Sequence, residues 1–184
     1  DRSLHGKERI LIEVVGAMGL DSKERRTVDP YCKVQLYDDK LGCLRVVHQT
    51  ETIYNDGDPI WTAKTKSLGV VQVPVTRDSE QGSLATPEVL QGSLVVDVCH
   101  SSKRLGRVCV PFSDVIRYAH TGERNGFHIK AEESSAILSS ASIALRFRIA
   151  NEQDLIFLGK LAQSKSSVRD ITTVSASTSQ TTKG

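Results

Sequence analysis

Residues 10–34, ILIEVVGAMGLDSKERRTVDPYCKV, spell a strand, a polar loop and a second strand, and this order limits the folds open to the chain. Ile10, Ile12 and Val14 alternate with Leu11, Glu13 and Val15, so each set shares one face of an extended segment. Gly16 and Gly19 then loosen the backbone and Leu20 ends the apolar pattern. A charged stretch from Asp21 to Thr27 leads to the turn signal Asp29-Pro30. Alternation resumes beyond it, with Tyr31, Lys33, Gln35 and Tyr37 set against Cys32, Val34 and Leu36.

Strand follows strand through the rest of the chain. Leu44–Ile53, Ile60–Val73 (bulged at Gly69), Leu94–Cys99, Arg107–Phe112, Phe127–Ala131 and Ser142–Ala150 bring the expected total to eight. The last is the cleanest, with Ile143, Leu145, Phe147 and Ile149 on one face and Arg146 and Arg148 on the other. One short helix is expected from Asp114 to Ala119, with Ser113 as its N-cap. There is no βαβ rhythm, so the expected fold class is all-β, an eight-stranded antiparallel β-sandwich. Trp61, following Pro59 at the start of a strand, joins Ile10, Ile12, Val14, Val34, Leu145 and Phe147 in the expected core.

Four blocks, in order, resemble a C2 domain across roughly Glu8 to Ala150. The first is Ile10, Ile12, Val14, Ala17 and Leu20 followed by Asp29, Pro30, Tyr31, Lys33 and Val34. The second is TETIYNDGDPIW, with Asn55, Pro59 and Trp61 in order, and the others are the strand pair within SLVVDVCHSSKRLGRVCVPF. The resemblance implies a C2-like Greek key. Opening on this strand and closing on SIALRFRIA implies the circularly permuted arrangement called type II.

In an antiparallel sandwich, connections alternate between the two ends. The first (Leu20–Asp29), third (Tyr54–Asp58), fifth (His100–Gly106) and seventh (Glu132–Ala141) therefore share one pole. The resemblance makes the first, third and fifth a calcium cup. Asp21 and Asp29 hold positions resembling two ligands, but His100 and Ser102 stand where the densest carboxylates belong, followed by Lys103 and Arg104. Calcium takes six to eight oxygens, and two aspartates with Asn55 or Asp56 beside two cations do not supply them. Asp29, preceding a proline, is also a natural turn cap. No metal site and no cofactor are expected.

Positive charge takes calcium's place. Lys23, Arg25, Arg26, Lys103 and Arg104 are expected to converge on this pole as an anionic-lipid surface, since each basic residue near an anionic leaflet contributes about 1 kcal/mol. Ile137 and Leu138, in the serine-rich seventh connection, add an apolar pair that could enter lipid or face inward as the last strand begins. The resemblance also implies an alternative lipid site on a concave face of strands two to four, with Lys33, Arg45, His48, Lys64 and Lys66 as candidates. Solvated loop and strand charges are the plain alternative for both sets.

Composition narrows the function classes. Lys plus Arg exceed Asp plus Glu by only 24 to 22, which argues against a nucleic-acid protein. Cys32, Cys43, Cys99 and Cys109 have no metal spacing. Those in strands suit reduced, buried thiols and an intracellular compartment, with a Cys99–Cys109 bridge as the secreted alternative. Cys99 and His100 are adjacent on a strand and point apart, and no nucleophile elbow or phosphate loop is present, so an enzyme is not expected.

The organisation expected is a lead-in over 1–7, the sandwich over 8–150, a short apolar extension over 151–163 and a Ser/Thr-rich disordered linker over 164–184. A start at Asp1 and a terminal linker suggest a piece of a larger multidomain protein. Two readings remain open. One is a calcium-independent module docking on anionic phospholipid headgroups, peripheral at membranes in the cytoplasm. The other is a scaffolding module for a protein partner, favoured by the long Thr76–Gly92 insertion.

Overall fold

The computed structural model describes residues 5–21, 28–38, 41–62, 64, 66–76, 92–133, 135 and 137–163. The chain divides into two compact units, Asp1–Ile149 and Ala150–Gly184. In chain order the first holds β1 (His5–Met18), β2 (Pro30–Asp38), β3 (Cys43–Gln49), β4 (Leu68–Thr76), β5 (Ser93–His100) and β6 (Lys103–Pro111). Helix α1 (Phe112–Thr121), β7 (Arg124–His128), β8 (Lys130–Ala131) and β9 (Ser142–Ile149) follow. The strands form two antiparallel sheets, ordered β4-β1-β9-β7 and β3-β2-β5-β6-β8. Side by side lie β1 and β9, with Ile12 opposite Phe147 and Val14 opposite Leu145, the neighbourhood expected of the permuted arrangement.

Alternation decides the faces. Ile10, Ile12, Val14, Ile143, Leu145 and Phe147 of the first sheet meet Cys32, Val34, Leu94, Val96, Val98, Val108 and Val110 of the second. The core is closed at one end by Leu20, Val28 and Trp61 and at the other by α1, which buries Phe112, Val115 and Ala119. The Phe127 ring packs edge-on against Tyr118 and Phe147, at centroid distances of 5.8 and 6.4 Å.

Several expected boundaries move, each for a local reason. The segment expected as one strand over Phe127–Ala131 is two, which makes nine strands among the described residues. Ile129 is buried between them as the chain crosses from β7, paired with β9, to β8, paired with β6. Leu44–Ile53 is strand only to Gln49, because Thr50 turns aside to exchange hydrogen bonds with the Cys32 backbone. Trp61 precedes its strand by several residues and lies in an irregular stretch, although its burial is complete. The irregularity expected at Gly69 falls instead in β1, between Val14 and Gly16.

The helix begins at Phe112, one residue before the expected Ser113 cap. Pro111 occupies the N-cap and no side chain caps the turn; Gly122, at φ 65°, ends the helix in the left-handed region that glycine favours. Cys32 and Cys99 are buried, but Cys43 and Cys109 are exposed, contrary to the expectation for Cys109. All four thiols are free. Cys109 pairs across from Val95 and Cys99 from Arg104, so the alternative bridge is not made.

In the second unit the apolar extension is a helix over residues 152–163. Its start is a reciprocal cap, in which the Asp154 N–H donates to Asn151 Oδ1 and the Asn151 N–H donates to Asp154 Oδ2, both at 2.9 Å. Ile156 and Phe157 are exposed on it.

Candidate functional site

The four connections expected to share a pole meet there, and backbone hydrogen bonds tie them together. The Leu20 N–H donates to Gly57 O, the Asp56 N–H to Val28 O and the Leu138 N–H to Gly19 O, at 3.0, 3.0 and 3.1 Å. Tyr31 Oη donates to the Ser101 carbonyl at 2.6 Å, bringing in the fifth connection. That connection is only the Ser101–Ser102 turn, with Ser101 at φ 52°, because His100 and Lys103 already pair as strand residues.

The aspartates of the pole hold loops. Asp29 Oδ1 accepts the Asn55 N–H at 2.7 Å, Asp58 Oδ1 accepts the Gly19 N–H at 2.8 Å, and Asp56 Oδ1 accepts the Asp58 N–H at 2.9 Å. Asp21 is exposed and folds over Gly57 so closely that a Cβ there would lie 2.0 Å from its carboxyl carbon. The Asp29 N–H donates to His100 Nδ1 at 2.9 Å, which makes Nδ1 an acceptor and leaves the ring proton on Nε2.

Of the expected cations, Lys103 and Arg104 lie among the described residues, and these two part company. Lys103 is exposed beside the fifth turn. Arg104 is drawn away along β6, where its guanidinium pairs with Glu132 and stands 3.8 Å from Asp97. Lys23, Arg25 and Arg26 lie outside the described residues, as does most of the Thr76–Gly92 insertion. Of the apolar pair, Ile137 packs against the core and Leu138 is left exposed. Sequence reasoning missed Met18 and Ile60, both about two-thirds exposed at the same end, and Tyr54 on the third connection. The β1 irregularity turns Met18 outward, and Ile60 bridges to Gly16.

The alternative concave set is also divided. Lys33 pairs across from Asp97 on the outer face of the second sheet. Arg45 pairs with Leu36, whose side chain faces the core, so it shares the opposite side of that sheet. His48 Nε2 donates to the Lys66 carbonyl at 2.7 Å, at the margin where β3 approaches β4. Lys64 and Lys66 are exposed in the third connection, ahead of the strand that was expected to hold them.

Asp97 anchors the outer face of the second sheet. Its carboxylate takes Arg107 Nε and Nη2 at 2.6 and 3.0 Å and Gln35 Nε2 at 2.6 Å. The hydrogen bond to Asp97 raises the Arg107 pKa. Nearby, burial pushes the Cys99 thiol up, and pushes the wholly buried Cys32 thiol well above its ordinary value.

A family model for the C2 domain matches residues 8–127. The chain belongs to the C2 family. Solved structures with similar folds include extended-synaptotagmin 2, at 14% identity and TM-score 0.48 over 77% of this chain and 25% of that one. Human GIVD cytosolic phospholipase A2 aligns at 13% identity and TM-score 0.50 over 80% of this chain and 18% of that one. BON1-C2B aligns at 18% identity and TM-score 0.43, with 78% and 90% covered. The chain thus spans a quarter or less of the first two proteins. A comparison with curated proteins returns no match.

C2 domains serve as lipid- or protein-interaction modules. Asp29, Asp56 and Asp58 each commit an oxygen to a backbone N–H, and the fifth connection offers an occupied imidazole nitrogen and two serines in place of carboxylates. Among the described residues no three His, Cys, Asp or Glu side chains are placed to hold a metal ion. No helix among the described residues is long and apolar enough to cross a membrane.

Proposed function

We propose that this C2 domain is a binding module, without catalytic activity, that docks its parent protein on anionic membrane surfaces without calcium, peripherally and inside the cell. The observation that carries this reading is the cluster of exposed apolar side chains at the pole, Met18, Ile60 and Leu138, with exposed Lys64, Lys66 and Lys103 on the connections that meet there. Apolar tips that enter the acyl boundary and lysines that meet headgroups are complementary parts of an interfacial site. Lys23, Arg25 and Arg26, between Asp21 and Val28 in sequence, add cations to the first connection. The four aspartates work against adhesion.

Co-sedimentation with phosphatidylserine vesicles in a chelator tests the reading. Replacing Lys64, Lys66 and Lys103 with Gln removes about 3 kcal/mol, a loss of roughly 100-fold in partitioning. Met18→Ser with Leu138→Ser should weaken binding further at any salt. Vesicle binding that requires calcium, or none at low salt, would sink the proposal.

A further inference from the structure

The outer face of the four-stranded sheet carries an arginine stripe. Register settles its membership. Glu13 pairs with Arg146, which pairs in turn with Arg124, and Leu11 pairs with Arg148. The inward positions between them, Ile12, Leu145 and Phe147, are in the core, so Arg9, Arg124, Arg146 and Arg148 all belong to the outward side. Glu13 is the one carboxylate on that side among the described strand residues. It already accepts from Thr62 Oγ1 at 2.7 Å and reaches Arg146 Nη1 only at 3.5 Å, while Arg146 Nε has no hydrogen-bond partner. None of the ion pairs among the described residues involves Arg9 or Arg124, and both are exposed. The other sheet is different: its Arg104 and Arg107 are met by Glu132 and Asp97.

We propose that this face is a docking surface for an acidic polypeptide segment bound in extended conformation. Residues two apart on a strand repeat at roughly 7 Å and neighbouring strands at about 4.8 Å, so the stripe offers positive charge at the spacing of alternate side chains in an extended chain. Guanidinium forks meet carboxylates through two parallel hydrogen bonds, which a lysine cannot do. Leu68 and Val70, half-buried in the rows of Glu13 and Leu11, lie on β4 and give such a segment apolar contact beside the charges, across β1. A membrane is the less suitable occupant, because, among the described residues, the strands of this sheet carry no large exposed apolar side chain except Met18 at the end of β1.

Fluorescence anisotropy of a labelled peptide of alternating Glu and Thr, titrated with the full chain at low salt, tests this directly. Saturable binding is expected, falling as salt rises. The double variant Arg9→Gln, Arg124→Gln should weaken it at least about tenfold with an unchanged melting curve, and Lys130→Gln on the other sheet should leave it unchanged. Absence of saturable binding, or equal binding by the double variant, would overturn the proposal. So would phosphatidylserine vesicles that lose binding to the double variant when the peptide does not bind at all.

Discussion

Trp61→Ala tests the packing of the loop pole most directly. The indole is wholly buried, its Nε1 donates to the Glu51 carbonyl at 2.9 Å, and the backbone N–H groups of Trp61 and Thr62 both donate to Val15 O. The residue therefore pins the third connection to β1 while closing one end of the core. A buried Trp removes about 200 Å² from water, about 5 kcal/mol at roughly 25 cal/mol/Å², and truncations of this kind cost about 3–5 kcal/mol. In a domain of this size each kcal/mol lowers the melting temperature by about 2–4 °C, so Trp61→Ala should melt roughly 6–20 °C below the parent. Trp61→Phe keeps most of the volume and loses the N–H donor. The Glu51 carbonyl still accepts Thr50 Oγ1 at 3.2 Å, so this change should cost only about 1–2 kcal/mol. Paired thermal and urea unfolding would measure both. An alanine variant within a degree or two of the parent, or less damaged than the phenylalanine variant, would refute the packing described for this pole.

Asp97→Asn should cost about 2–3 kcal/mol in urea unfolding, less than a wholly buried pair because the Arg107 side chain is 28% exposed. Maleimide should label Cys43 and Cys109 in the native protein and reach Cys32 and Cys99 only on unfolding, counted by mass spectrometry. Burial raises the folded-state pKa of Cys32 and Cys99 above their unfolded values. Their contribution is therefore complete below the ordinary thiol range and is lost as pH climbs through the folded values, which alkaline melting curves should register. Gly92→Ala should lower stability measurably, since φ is 133° there and the added Cβ would meet Phe112 Cε2 at 2.4 Å and Tyr37 O at 2.6 Å.

Strands were legible wherever burial alternates, as in β1, β2 and β9, because a half-buried extended segment writes its two faces into the sequence. Alternation also separated Arg146 and Arg148 from Leu145 and Phe147. Their company with Arg9 and Arg124 depends on sheet order, which no local pattern encodes. Arg104 shows the same limit: its acidic neighbours lie 28 residues on at Glu132 and across β5 at Asp97. Hairpin length was misjudged at Ser101–Ser102 because Lys103 and Arg104 look like loop residues by charge, yet exposed strand positions accept charge equally well. The expected poles held because β7 and β8 run on in one direction with only Ile129 between them, so the extra strand adds no reversal of the chain.

The pairing of β1 with β9 has a consequence for how the chain is made. Ile10 finds Ile149 across the ladder, so the first strand to leave the ribosome waits for the last before its sheet is whole. Until then β1 presents one row of amide and carbonyl groups and an apolar face to whatever is nearby. Contacts of such long sequence separation slow folding, and open edges of this kind are where nascent chains associate wrongly. Synthesis of this domain is thus a period of obligatory exposure, set by the time needed to translate the stretch between its two central strands.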